Sequence, residues 1–376
     1  MDLYGEKKNA IRTVVFLCAI LLVFFVADLL QGDVVFSESE NRILASRPKL
    51  STDALLDGSY MKAYETYVND QFVGRENWIT IKTGMDMLLQ KKEINGVYLG
   101  KDDYLIEHHG AEEFEGYKIR KRIESMQKII SEYPQTKVML VPTADNILTE
   151  KLPAFAPFYD QKELLEWAKT MLGKERVIDV FTTLEEHAKE PVYYRTDHHW
   201  TTLGAYYGYQ EITRAYGLPT RNYLNKERVA VTEDFLGTLH SKVNMPMKGE
   251  TIEMFPATLD KRYTITYDGT KQTDSFYTDS FLEGKNKYGY FLDDNHGLVE
   301  IERESFSKKE LFVIKDSYAN SLIPLLAHHY KKIYVVDLRY FNGKLLDFME
   351  ECNTTGEMDV LVLYNCVHFV EDFQFQ

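Results

Sequence analysis

Two short stretches of this sequence hold the residue types needed for a serine nucleophile and its base. The first is YYRTDHHWTTLGAYYGY, where Asp197, His198, His199 and Trp200 stand just ahead of a helical pattern. An Asp two residues before a His can, within a turn, accept a hydrogen bond from the ring. That bond fixes the tautomer and stabilises the imidazolium formed when the His takes a serine proton. Trp200 can wall such a site and limit water. Two other readings fit the same residues: Asp197, His198 and His199 as metal ligands, or a polar cluster that only caps the helix opening at Thr201. The second stretch is IKDSYANS, in which a strand ends and Asp316-Ser317 turns into a helix. Free N–H groups at such a turn favour negative charge, so a serine there has part of its oxyanion site built in. The plain alternative is a serine that caps the helix. Each stretch supplies what the other lacks. Together they point to Ser317 as nucleophile, His199 as base and Asp197 as the residue that orients the base.

Such a constellation needs a rigid frame, and the pattern around it provides one. KVMLV (137–141), ELFVIK ending at Lys315, KIYVVD (332–337) and DVLVLYN (359–365) are continuous apolar runs. Runs of that kind are buried strands of a parallel sheet. Helical patterns alternate with them at 112–133, 162–172, 201–216, 318–330 and 343–350, and a further short strand is expected at 176–180. Strands alternating with helices give an α/β fold with a parallel sheet covered on both faces. Active sites of open α/β sheets gather at the carboxyl ends of strands, where Ser317 falls. Residues 95–107 read as a hairpin, and 61–90 as helix broken near Gly74. Residues 218–308 alternate Tyr, Thr, Gly and Asp and read as a β-rich insertion.

The N-terminus sets the compartment. Thr13–Ala27 carries no charge, and Leu29 and Leu30 extend it past Asp28. The stretch approaches the ~20 residues that span a bilayer. Lys7, Lys8 and Arg12 precede it, which keeps the N-terminus in the cytoplasm and places the rest outside. A cleaved signal peptide is the rival, but Phe25-Val26-Ala27 is a poor match to the small residues that cleavage requires. The expected organisation is a cytoplasmic tip and single-pass signal anchor over 1–34, a stalk over 35–60, and a catalytic domain over 61–376. A formal net charge of -14 without a basic run argues against a nucleic-acid partner. The three cysteines show no metal spacing, and Cys352 and Cys366 are either a pair or two buried thiols.

TDHHWTTLGAYYGYQ carries the four-letter signature of the DHHW protein family. NGVYLGKDDYLIE, DFLGTLHSK (234–242) and KDSYANS also resemble that family, so the resemblance runs from about residue 60 to the C-terminus. The family is similar to the alginate O-acetylation proteins, which are SGNH-hydrolase-like. In their pattern Asp-x-His-Trp comes upstream and the nucleophilic Ser downstream after a strand, permuted relative to ordinary SGNH esterases. The resemblance implies a three-layer SGNH-hydrolase-like parallel sheet in permuted order. It carries the triad onto Asp197, His199 and Ser317, with Trp200 matching and His198 in the variable position. Lys315 departs from the usual Gly-Asp-Ser, and a bulky residue there can alter the approach to the oxyanion site. The Ser317 N–H and Asn365 are the candidate oxyanion donors, a turn residue being the other reading of Asn365. Arg339, after the KIYVVD strand, can meet a carboxylate or sugar or form a surface ion pair; with Trp200, Tyr318 and Asn365 it makes up the substrate-binding candidates.

The activity implied is O-acetylation of a cell-surface or secreted polysaccharide through an acyl-serine. Acetyl-CoA is not available outside the cell. The resemblance therefore implies a membrane-bound O-acyltransferase partner that exports acetyl groups, and no cofactor in this chain. An esterase would use the same triad with water as acceptor. A glycan-binding or scaffolding component would keep the fold without using Ser317. A DHH phosphoesterase, which needs further Asp/His metal sites, finds no matching set here.

Overall fold

The apolar runs at 137–141, 310–315, 332–336 and 358–365 form the middle of one sheet. In the computed structural model, which describes residues 3–37, 42–223, 228–258, 263–304, 307–353, 356 and 358–373, that sheet has eight strands. They are β1 (Lys137–Val141), β2 (Val177–Ile178), β3 (Tyr263–Tyr267), β4 (Lys271–Thr273), β5 (Leu298–Arg303), β6 (Glu310–Lys315), β7 (Lys332–Val336) and β8 (Met358–Asn365). Their order is β4-β3-β5-β7-β6-β8-β1-β2. The five strands from β7 to β2 run parallel. The other three continue the sheet antiparallel. Every residue of β6 is buried, as a central parallel strand requires. The stretch 218–308 thus supplies three strands of the main sheet, and also a separate ribbon of Val229–Phe235 against Glu250–Met254.

Helices cover the sheet with the faces their periodicity dictates. Helix α1 (Gly116–Glu132) buries Ile119, Ile123, Met126 and Ile129, residues three or four apart and so on one face. It packs beside α2 (Lys162–Leu172) and the C-terminal Cys366–Asp372 helix. Helix α3 (Thr202–Ala215) is capped by Thr201, whose hydroxyl accepts the Gly204 N–H at 3.2 Å. Gly208 of this helix has no room for a side chain, since a Cβ there would lie 2.8 Å from the Trp200 ring. After β6 the chain does not form the single helix that its apolar pattern predicts over 318–330. It takes a 3-10 turn (Ser317–Ser321), one α turn (Ile323–Leu326) and a second 3-10 turn (Ala327–His329). Pro324 accounts for the break ahead of Ile323: it lacks the N–H that would bond back to residue 320. Cys352 and Cys366 are buried free thiols.

Residues 1–91 and 92–376 make two compact units. The sheet and its helices belong to the second. In the first, the long helix Leu3–Leu30 contains Lys8–Asp28, whose mean hydropathy of 2.7 and length of 21 residues suffice to cross a membrane. It also holds a strand pair, Phe36–Ser37 with Arg42–Ile43, a one-turn helix, Thr52–Leu56, and two longer helices, Ser59–Gln71 and Arg75–Leu88, with the break at Gly74.

Candidate active site

The carboxyl ends of β6 and β8 and the loop before α3 converge on Ser317. Asp316 fixes the turn that presents it. One carboxylate oxygen of Asp316 accepts the Tyr318 N–H at 3.0 Å, and the other accepts the Asn365 N–H at 2.9 Å and His368 Nδ1–H at 3.1 Å. Burial works to raise the Asp316 pKa, but the bond from His368 and its charge outweigh it and hold the carboxyl below its usual range. Burial likewise works against the charge on His368, and Asp316 overcomes it, so the His368 pKa is raised. The pair stiffens the turn on the side of β8.

Ser317 Oγ lies 2.8 Å from His199 Nε2, and His199 Nδ1 lies 2.6 Å from Asp197 Oδ1. All three residues are buried, Ser317 at 6% exposure. A carboxylate only accepts, so Nδ1 of His199 carries the proton and Nε2 turns its lone pair to the serine hydroxyl. Asp197 Oδ1 also accepts the His199 backbone N–H at 3.0 Å. Its Oδ2 accepts the Thr238 N–H at 2.8 Å and the Thr238 hydroxyl at 3.0 Å. Burial pushes against ionisation of Asp197, yet the neighbouring His199 and His198 and these donors keep its pKa far below the usual value. The imidazole of His199 stacks on Tyr288, ring centres 3.8 Å apart and 10° from parallel. Burial drives the Tyr288 pKa upward, so the phenol stays neutral.

The ligating atoms of Asp197, His198 and His199 lie within 4.8 Å of one another. Their protons already have partners. His199 Nδ1–H is given to Asp197, and His198 Nδ1 meets the Thr238 hydroxyl at 2.7 Å. Because that hydroxyl gives its own proton to Asp197, it accepts from His198. Asp197, His198, His199 and Thr238 thus form one continuous hydrogen-bonded network. Burial, then the adjacent His199, pushes the His198 pKa down to about 3.

The other sequence candidates fall in different places. Trp200 is fully buried and donates from Nε1 to the Tyr318 carbonyl at 2.8 Å. It braces the nucleophile turn from below rather than walling the site. Arg339 is held by Asp337, with Nε to Oδ1 at 2.9 Å and Nη2 to Oδ2 at 2.7 Å, which is the ion-pair fate. Lys315 is fully buried and donates to Asn320 at 2.9 Å, Asn295 at 3.1 Å and Asp337 at 3.3 Å. Its bulk is therefore spent tying β6 to β7. Tyr318 and Asn365 do border a cleft of about 310 Å³, together with His198, His368, His109 and Glu107. The Asn365 side-chain oxygen caps the last helix by accepting the His368 N–H at 2.9 Å. The Asn365 Nδ2 also lies 2.9 Å from His368 Nδ1, so at most one of its amide hydrogens is left for the cleft.

Against known proteins, residues 119–336 match the DHHW protein family. The chain belongs to that family. A solved DHHW family protein from Eubacterium siraeum DSM 15702 is similar, with 22% identity, a TM-score of 0.61, and coverage of 76% of this chain and 97% of that one. Bacillus cereus PatB1, solved with a sulfonyl adduct, is 22% identical with a TM-score of 0.61, over 74% of this chain and 97% of its own. The O-acetyltransferase domain of Pseudomonas putida AlgJ is a looser likeness, 15% identical with a TM-score of 0.40, over 73% of this chain and 92% of that one. At these identities the first two likenesses are of fold. No curated protein matches the chain.

Three positions that hold the relay were not singled out in the sequence. Glu250 accepts the N–H groups of Arg195 and Thr196 at 2.8 and 2.7 Å, clasping the loop just before Asp197. Tyr288 stacks on the base. Gly237 leaves room for Asp197: a Cβ there would meet the Asp197 Oδ2 at 2.3 Å. The DFLGTLHSK resemblance was the one signal pointing at Gly237 and Thr238. Gly237→Ala is expected to push the Asp197 carboxylate off the imidazole and lower turnover about a hundredfold, as small misplacements of catalytic groups do. Steady-state kinetics beside a thermal melt checks this. An alanine variant with unchanged turnover would show that the carboxylate tolerates displacement.

Proposed function

We propose that this protein is a membrane-anchored, extracytoplasmic O-acetyltransferase. It moves acetyl groups to hydroxyls of a cell-surface or secreted polysaccharide through an acyl-Ser317. The observation that carries the reading is the Ser317–His199–Asp197 chain, with contacts of 2.8 and 2.6 Å. His199 Nε2 takes the Ser317 proton as Oγ attacks the acetyl carbonyl. The imidazolium, steadied by Asp197, then protonates the leaving group. In the second half a sugar hydroxyl gives its proton to His199 and attacks the acyl-serine, which restores Ser317. The Ser317 N–H and the Asn365 amide are the proposed donors to the oxyanion. The parallel sheet with its nucleophile after β6, downstream of the base, supports an SGNH-like arrangement in permuted order. The apolar Lys8–Asp28 helix supports a signal anchor. A membrane-bound O-acyltransferase is the proposed source of acetyl groups.

The test uses the full chain in detergent with 4-nitrophenyl acetate, followed by peptide mapping. An acetyl adduct on Ser317, absent from Ser317→Ala, is expected. A sulfonyl fluoride should block it by occupying the same oxygen. A folded protein that takes no acetyl group from the ester and hydrolyses none would overturn the reading in favour of a non-catalytic component. Release of the acetyl group to water in the presence of glycan acceptors would make it an esterase.

A further inference from the structure

The Ser59–Gln71 and Arg75–Leu88 helices of the N-terminal unit are amphipathic in the reverse sense. Their buried side chains are polar: Asp70 and Gln71 in Ser59–Gln71, Thr83 and Asp86 in Arg75–Leu88. These have work inside the unit. Asp70 accepts the Ala45 N–H at 2.8 Å. Gln71 accepts the Val34 N–H at 2.8 Å and donates to the Val34 and Ala45 carbonyls at 2.9 and 3.0 Å. The apolar side chains face outward. Trp78, Ile81, Met85 and Leu88 are between 45% and 78% exposed. At 3.6 residues per turn these four fall within an arc of roughly 100°, the width of a core-facing stripe on an ordinary surface helix. Apart from Phe24 beside Trp78, the stripe stays exposed among the described residues.

The position of the stripe says what covers it. Phe24 of the long apolar helix stacks on Phe72, ring centres 5.9 Å apart, and meets Trp78 at 5.9 Å. Phe24 lies four residues inside the outer end of Lys8–Asp28, which is about 6 Å along the helix axis. With the span in a bilayer, Trp78 therefore sits at the depth where tryptophan concentrates. Helices with one apolar face lie in that plane with the face sunk about 5–10 Å. We propose that the Trp78–Ile81–Met85–Leu88 face lies in the membrane, at the boundary of headgroups and acyl chains beside the outer end of the anchor. The inference rests on the anchor reading. The long helix then crosses the bilayer and the Arg75–Leu88 helix lies along its surface, so the anchoring is two-part and the catalytic chain leaves from a fixed point, Lys91, at the membrane.

The test places the full chain in phospholipid nanodiscs with and without brominated acyl chains, and compares wild type with Trp78→Phe. The chain has three tryptophans, so the difference between the two proteins isolates Trp78. Brominated lipid is expected to quench most of the Trp78 emission, and aqueous acrylamide little of it. Ile81→Glu with Met85→Glu keeps Trp78 and should lower the lipid quenching at least about twofold, with the anchor still resistant to carbonate extraction. Trp78 emission quenched by acrylamide and not by lipid would overturn the proposal. So would emission shielded from both, which would mark the stripe as a face for a protein partner or a second copy. Loss of the chain to carbonate would instead refute the anchor reading itself.

Discussion

Ser317→Ala is expected to lower acyl transfer by about 10⁶-fold, the scale seen when a triad nucleophile is removed. Ser317 Oγ has its hydrogen bond to His199 Nε2 at 2.8 Å, and alanine removes both the attacking atom and the proton that His199 must take. The fold should hold. The turn is built by Asp316, through the Tyr318 and Asn365 N–H groups, and by Trp200 on the Tyr318 carbonyl; none of these uses the serine side chain. Adding His199→Ala to Ser317→Ala should cost little more, because the residues act as one unit. The measurement is single-turnover release of nitrophenol from the acetyl ester, with circular dichroism to certify the fold. A Ser317→Ala protein that still acetylates its acceptor would move the chemistry to another group, and the relay would then be structural.

How much of this was legible in the sequence depends on how far apart the partners lie. Asp197 and His199 are two residues apart, so their bond could be expected from a turn alone. The meeting of His199 with Ser317, 118 residues on, followed only from pairing two half-sites that each lacked what the other had. Thr238 and Glu250 reach the same loop across 41 and 54 residues, and nothing local marks a threonine or a glutamate as a future partner. Tyr288 came from a stretch whose alternation of Tyr, Thr and Gly suits packing as well as any site. That stretch reads as β-rich, but its place in the main sheet does not show, because an antiparallel edge alternates inward and outward residues and does not read as part of a buried parallel core. Lys315 stands beside the nucleophile in sequence, where a bulky residue can alter the approach to the oxyanion site; its long-range partners Asn295 and Asp337, and Asn320, could not be read from that position. Pro324 was visible throughout, and its missing N–H is why the run 318–330 breaks ahead of Ile323.

Asp197→Asn should lower turnover by about 10⁴-fold while leaving the protein folded, since an amide of the same shape reverses the proton order of the base. Asp197 stands between two sets of donors: His199 Nδ1–H at 2.6 Å and the His199 N–H at 3.0 Å on one oxygen, the Thr238 N–H at 2.8 Å and its hydroxyl at 3.0 Å on the other. A carboxylate accepts from all four. An asparagine accepts on one side only. The Thr238 hydroxyl can rotate, but its backbone N–H cannot. If the amide oxygen stays with Thr238, the NH₂ faces His199, where it opposes the backbone N–H, and the imidazole must move its proton to Nε2 to accept. Nε2–H then points at Ser317 Oγ, and the base has no lone pair for the serine proton. If the amide oxygen turns to His199 instead, the NH₂ opposes the Thr238 N–H, and two buried donors face each other at a cost of about 1–3 kcal/mol. Either way the negative charge that steadies the imidazolium is gone. The adduct experiment separates this from unfolding: slow acylation of Ser317 in a protein with a native melt is expected. Acylation near the wild-type rate would mean that the aspartate only holds the loop, and that His199 is oriented by its stack on Tyr288.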